Sequence, residues 1–466
     1  MNSKIPLLYM PFILSFLFQD DYMLGFFIAW VGSVLILILT IKGFFKPLPK
    51  QLTFAQQIMR PYILANIIFV TFSFLTSVFY FIDANGYYYF TKNHYPLSDE
   101  QLKLIVTCQI YYSLCHAAYT HGLLYNINYN FKTKYIIATK YKLSNLILVI
   151  SLSALLISYV FRFISRLEQL NFEMVRLSFI GSILSLTQAI KEKNYKGIAV
   201  SLVLFSSSFI SAIYSGMKED ILVPMVLLSV FLYPMYKKTV LILGVVFISF
   251  FIYYVPTYTN IIREESWVNG LSSKEASAIA IAKIQNSQTD LADMNWKFLS
   301  VRLTEIKMFT SFVDLIPKKR EYYNFQLIEQ AFLSLLPRIF YPQKPITEKI
   351  VMERVFEAGS YNKSSSGSAK PLPIVDGYAS FGILGVWFTG IILGLAASFL
   401  SRRCEYWFGG YLIGSAFMFS GLFQSFWKGN CFEFLLNQLF WSLIITWCIF
   451  LILKKIGILK QVIVKD

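Results

Sequence analysis

The chain is short of charge. Only 15% of its 466 residues are Asp, Glu, Lys or Arg, against about 25% in an ordinary soluble domain. That shortage, with a mean hydropathy of +0.55, excludes a soluble enzyme built on one buried core. Histidine is scarce as well, limited to His94, His116 and His121. His116 and His121 stand five apart inside one apolar run, poor spacing for a shared helix face. A buried, hydrogen-bonded role is expected of them rather than metal ligation. The five cysteines (Cys108, Cys115, Cys404, Cys431 and Cys448) show neither metal-ligand spacing nor a disulfide framework. There is no GxSxG elbow, no Walker loop and no HExxH pair, so ATP-driven work by this chain alone is not expected. No internal repeat is found.

What the chain has in quantity is apolar and aromatic residues, 56% and 18%. Crossing the hydrocarbon core takes ~20 mostly apolar residues in a helix. Twelve segments approach that: 4–19, 22–42, 61–82, 103–125, 144–165, 175–191, 198–216, 221–235, 239–256, 378–400, 408–426 and 434–453. The first is short, as is 221–235, where Pro224 introduces a kink. The expected fold class is an all-α polytopic integral membrane protein of about 12 transmembrane helices, with one large, mostly helical extracytoplasmic loop. Residues 1–256 hold nine spans, 257–377 the loop, 378–453 the last three spans and 454–466 a basic tail.

Charge sets the orientation. Lys46, Lys50 and Arg60 fall in one loop, and Lys132, Lys134, Lys140 and Lys142 in another. Lys191, Lys193 and Lys196, then Lys237 and Lys238, then Arg402 and Arg403 continue the series in every second loop. The basic bias of cytoplasmic loops puts both termini in the cytoplasm and 257–377 outside. Of the 42 basic and 26 acidic residues, 257–377 holds 15 and 13, so the excess lies in short loops. That is a membrane footprint and not a nucleic-acid groove. The 257–377 segment is too long and too polar for a connector. Ser272 and Glu275 have capping-box spacing before an apolar stripe at 272–286, and 322–336 reads as an amphipathic helix.

Three constellations can carry chemistry. In Ser215-Gly216-Met217-Lys218-Glu219-Asp220, a tight turn between spans suits Gly216, and Lys218 at the boundary can reach a lipid phosphate. A plain interfacial turn with a snorkelling lysine explains it equally. In Leu336-Pro337-Arg338-Ile339-Phe340-Tyr341-Pro342-Gln343-Lys344-Pro345, three prolines stiffen a loop that presents Arg338 and Lys344 to an anionic group. Read alone, these are also the solvated cations of a surface loop. In Asp376-Gly377-Tyr378-Ala379-Ser380-Phe381-Gly382-Ile383-Leu384-Gly385, a carboxylate stands where the loop re-enters the membrane. It is placed for acid/base work or simply favoured by a helix dipole. Arg263-Glu264-Glu265, Arg302 with Glu305, and Lys428 in the last outer turn complete the set.

These motifs in this order resemble the Wzy-type polysaccharide polymerases, which join O-antigen and other oligosaccharide repeat units. The likeness is to the enterobacterial-common-antigen-like branch and covers roughly 198–430. The resemblance implies a metal-independent, cofactor-free glycosyltransferase of the bacterial inner membrane. Its substrates are undecaprenyl-pyrophosphate-linked oligosaccharides, and its partners are membrane lipids and a chain-length regulator protein. By position, Arg263, Arg302 and Arg338 correspond to the catalytic arginines, and the base for the acceptor sugar hydroxyl is expected at Glu305, Asp376, Glu264 or Glu265. Lys218, Lys344, Lys428, Gly216 and Tyr378 correspond to the pyrophosphate and substrate contacts. The Arg-to-Gly spacing seen in some branches is missing after Arg263, Arg302 and Arg338. An O-antigen ligase shares the long loop but relies on a loop histidine, and 257–377 has none. A flippase or transporter of lipid-linked sugars is the non-enzyme alternative; such proteins carry repeats and broken, charged helices.

Overall fold

The computed structural model describes residues 4–47, 53–58, 60–86, 96–125, 127, 131–164, 168–216, 218–285, 291–338, 340–363, 368–410, 413–414 and 430–464. The described chain is mostly helical. A short turn (Ile5–Tyr9) leads into α1 (Met10–Leu17) and α2 (Tyr22–Ile41). After α3 (Phe54–Ile58), α4 (Pro61–Val70) runs through a π-helical turn (Thr71–Leu75) into α5 (Ser77–Ala84), and α6 (Asp99–Tyr125) follows. Strand β1 (Thr133–Ile137) precedes α7 (Leu143–Arg162), α8 (Glu168–Lys191), α9 (Tyr195–Tyr214), α10 (Lys218–Leu232) and α11 (Lys237–Arg263). The expected loop folds into α12 (Ser273–Gln285), α13 (Leu291–Lys297), α14 (Ile306–Leu315), α15 (Gln326–Leu335) and α16 (Thr347–Glu357). Then come α17 (Pro373–Phe408), α18 (Phe432–Lys455) and strand β2 (Leu459–Ile463).

Among the described residues, seven helices are long and apolar enough to cross a membrane: α2, the α4–α5 unit, α7, α9, α11, α17 and α18. The expected count of twelve is not confirmed, because five of the expected segments are not among these seven. The first and eighth expected spans form only short apolar helices, Ile5–Leu17 and Asp220–Leu232. Helices α6 and α8 are long but too polar to rank with the seven. The expected span 408–426 lies almost wholly outside the described residues.

Two strands depart from the all-helical expectation. β1 pairs antiparallel with β2, Tyr135 opposite Gln461, where a loop and a tail were expected. Both segments are rich in β-branched and aromatic residues, which suit a pleated edge.

The α6–α17 pair forms the axis of the main core. Its backbones touch: a Cβ on Gly394 would lie 2.0 Å from the Tyr119 carbonyl oxygen, and one on Gly122 would lie 2.3 Å from that of Ile391. Small residues permit such approach between apolar helices that have no water to expel. Around this axis, α1, α2 and α14 pack on α6. The capping box of α12 forms as spaced: Glu275 N–H donates to Ser272 Oγ (3.3 Å), and Ser272 N–H donates to Glu275 Oε2 (3.1 Å).

Helix α17 is not straight. Phe381 (φ −143°) and Gly382 (φ +60°, ψ −140°) break it, separating a short helix 373–380 from the long arm. The short piece folds back on the arm, since a Cβ on Gly377 would meet the Gly385 carbonyl oxygen at 2.7 Å. In a straight helix, residues eight apart are about 12 Å apart along the axis. The carbonyls freed at the end of the short helix are not wasted. Those of Ala379 and Ser380 accept the N–H groups of Tyr323 (2.9 Å) and Asn324 (3.1 Å).

Candidate functional site

The short helix 373–380 is buried along its whole length. Its carboxylate, Asp376, is fully enclosed and meets α16 and α18. Arg354 of α16 donates through Nη2 to Asp376 Oδ2 (3.1 Å) and to Glu433 Oε2 (2.9 Å), and through Nη1 to Glu433 Oε1 (2.5 Å). The backbone N–H of Phe432, at the start of α18, also donates to Asp376 Oδ2 (2.8 Å). One guanidinium thus bridges two carboxylates, and its planar fork suits the task. Burial disfavours the charge of Arg354, but Asp376 and Glu433 outweigh it and hold its pKa above that of an ordinary arginine.

The Pro-rich loop adjoins this centre. Ser334, at the end of α15, donates its hydroxyl to the Glu433 carbonyl (2.8 Å). Its own carbonyl accepts from Lys344 Nζ (2.6 Å) and from Asn437 Nδ2 (2.9 Å). Lys344 is therefore buried and turned under the loop, giving a second bond to the Leu336 carbonyl (3.0 Å). This corrects the picture of two cations presented outward: the freed carbonyls at the end of α15 draw the ammonium in. Burial, and after it the charge of Arg338, hold the Lys344 pKa below the ordinary lysine value. Arg338 stays half-buried and clasps the carbonyls of Lys344 (2.8 Å) and Pro345 (3.4 Å).

The other expected residues fall elsewhere. Tyr378 is buried rather than open to a sugar. Its hydroxyl donates to the Ile316 carbonyl (3.0 Å), and its ring lies among those of Tyr111, Phe309 and Tyr322. Gly216 takes φ +68°, and its carbonyl accepts from Arg263 Nε (3.0 Å), so this turn and the end of α11 form one unit. Arg302 is exposed. Helical structure stops at Arg302 and resumes at Ile306, so Arg302 and Glu305 do not share a continuous helix face. Lys218 begins α10, but its side chain lies outside the described residues, as does all of Lys428. Of the expected catalytic set, Asp376 lies at the Arg354 junction, Arg338 is linked to it only through Lys344 and Ser334, and Arg263 belongs to the Gly216 turn.

Arg354 and Glu433 were not singled out from sequence. A signal existed for Arg354. It falls on the buried stripe of α16 with Val351 and Val355, while Lys349 and Glu353 lie off it. A charge on an apolar stripe asks for a partner. His121 bonds Tyr9 through Nδ1 (3.0 Å) as expected of a buried histidine, but neither ring nitrogen of His116 has a hydrogen-bond partner among the described residues.

Asp376, Cys431 and Glu433 bring ligand atoms within 4.8 Å of one another, a donor set of the kind that holds a divalent ion. The fit is poor. Arg354 already sits on both carboxylates with a full positive charge, and burial pushes the Cys431 thiol up, away from the thiolate a metal needs.

A family model described as "Domain of unknown function (DUF8712)" matches residues 10–461, and the chain belongs to that family. No curated protein matches it, and neither does any solved structure.

Proposed function

We propose that this family member is a polytopic membrane glycosyltransferase. It would join undecaprenyl-pyrophosphate-linked oligosaccharide units at the outer face of the bacterial inner membrane. In this reading 257–372 and the short re-entrant helix lie outside, both termini lie in the cytoplasm, and the short and polar helices complete about twelve spans. The observation that carries it is the junction of α15, the Pro-rich loop, α16, helix 373–380 and α18. There the loop of Arg338 and Lys344 is joined through Ser334 to a carboxylate pair that shares one guanidinium.

The chemistry follows from charge. The acceptor sugar hydroxyl attacks the anomeric carbon of the growing chain. The bond from that carbon to the pyrophosphate oxygen breaks, and the lipid pyrophosphate leaves with the electron pair. Arg338, half-exposed and with donors to spare, offsets the charge on the leaving group without a metal. The hydroxyl proton passes to Asp376, whose Oδ1 is ion-paired with Arg354 Nη2 at 3.1 Å but accepts no hydrogen bond among the described residues. Asp376 is enclosed, so this transfer requires the junction to open around the substrate. Arg263 with Gly216 and exposed Arg302 form the outer approach for the lipid-linked substrate.

Arg338→Ala with Lys344→Ala tests the site: long polymer is expected to vanish while protein level holds, and normal chain lengths would refute it. The reaction is tested with purified protein and a synthetic lipid-pyrophosphate oligosaccharide, with and without chelator. A ladder of products insensitive to chelation supports the transferase. A second reading, a flippase of lipid-linked sugars, is favoured by the break in α17, since broken helices next to buried charge recur in transporters. Intact substrate crossing vesicles without elongation would establish it instead.

A further inference from the structure

Between the α4–α5 unit and α6, the protein buries polar groups that no described residue satisfies. On α6, Gln109, Ser113, His116 and Thr120 recur at i, i+4, i+7 and i+11, a single stripe of the helix, with Tyr112 at its edge. All five are fully buried. Gln109 Nε2, the hydroxyls of Tyr112, Ser113 and Thr120, and both ring nitrogens of His116 have no hydrogen-bond partner among the described residues.

The facing side can be read from its contacts. Ser77 Oγ donates to Gln109 Oε1 (2.7 Å). The Phe74 ring lies 4.8 Å from Tyr112 and 6.0 Å from His116, and Phe69 lies 4.6 Å from Tyr119. This antiparallel register sets the π-helical turn Thr71–Leu75 against the middle of the stripe and Asn66 near its far end. Asn66 Oδ1 and Ser73 Oγ are buried and unpartnered too. A π-helical turn inside an α-helix is itself a frequent mark of a functional position.

What such a place accepts is set by its chemistry. The stripe itself contains no carboxylate, guanidinium or ammonium, and the single Glu305 carboxylate that acts on Tyr112 at its edge does not balance a divalent ion. The one grouping of three metal-binding side chains among the described residues lies elsewhere, at Asp376, Cys431 and Glu433. An apolar occupant would leave every donor and acceptor orphaned, a costly arrangement inside a bundle. Water offers both donor and acceptor and bridges groups spaced like these. We propose that Asn66, Ser73, Tyr112, Ser113, His116 and Thr120 line an enclosed hydrated chamber in the helix bundle, with the neutral His116 ring bridged by water on both sides. One imidazole nitrogen donates to water and the other accepts from it. The chamber is separate from the Arg354 junction and does not depend on the transfer reaction.

The scarcity of histidine makes the test direct. The full chain, labelled with ¹⁵N-histidine and placed in nanodiscs, has three imidazoles to observe, and His116→Gln and His121→Gln assign them. Magnetisation transferred from water is expected to reach the His116 ring; its absence there overturns the chamber. Thr120→Val and Ser113→Ala give a second measure that needs no assignment. If their hydroxyls bond to water, both variants melt below the parent. If the hydroxyls are dry and orphaned, removing them raises the melting temperature. A rise or no change therefore counts against the proposal.

Discussion

Each end of α17 buries a carboxylate against an arginine, yet the two ends are built differently. At the C-terminal end, Glu405 meets Arg60 at 3.2 Å, one charge against one. At the N-terminal end, Asp376 and Glu433 share Arg354, two against one, and Lys344 lies a serine away. A pair that cancels has finished its work once it fixes where α4 meets α17. A trio with an uncancelled negative charge needs a proton or a neighbouring cation to complete it. That need makes the upper end a place where a substrate or proton can change the balance, whereas the lower end is a fastening.

The largest effect expected is at the trio. Arg354→Met strands two buried carboxylates, and breaking such an arrangement costs about 3–5 kcal/mol. Thermal unfolding in detergent should show it, and a melting temperature within a degree of the parent would mean the trio is not holding the junction. At the other end, Glu405→Leu alone strands Arg60 and should destabilise strongly. Arg60→Met with Glu405→Leu removes both charges and should be neutral or stabilising by about 1–4 kcal/mol. If the double variant is as damaged as the single one, the lower end is not self-contained and the contrast fails.

A smaller effect is expected at the break in α17. Gly382 holds φ +60°, and a Cβ there would meet the Tyr322 hydroxyl at 2.9 Å. Gly382→Ala should cost about 1–3 kcal/mol. If the fold-back positions Asp376 for transfer, product formation should fall further than stability does, which an assay at fixed folded fraction resolves.

The smallest effect concerns Lys344. Burial, then Arg338, hold its pKa in the folded protein below the unfolded value of ~10.4. The folded state therefore binds this proton less tightly than the unfolded chain does. The penalty is fully present below the folded pKa and is relieved as pH rises through it toward the unfolded value. Unfolding midpoints should climb over that alkaline window, and Lys344→Met should flatten the climb.

Much of this architecture was legible in the sequence because it is written locally. Apolar length marked the membrane-length helices, the Ser272–Glu275 spacing marked the start of α12, and Gly216 marked a turn with positive φ. Asp376 stood out because it sits at the edge of an apolar run. The rest depends on distance along the chain. Arg354 and Glu433 look like ordinary surface charges until α16 and α18 meet. The orphaned ring of His116 cannot be seen without knowing what α4 and α5 place opposite it. The span count was less legible, because apolar content alone does not separate a full span from a short apolar helix or from one, like α6, that carries polar groups into the bundle.

The pairing of β1 with β2 carries a consequence for the order of assembly. Some 320 residues separate Ile137 from Leu459, and every helix from α7 to α18 emerges from the ribosome between them. Until those helices have settled, β1 has an open edge and nothing to zip to. The little ribbon is thus a seam sewn after the bundle is in place, and its closure reports that insertion has come out right.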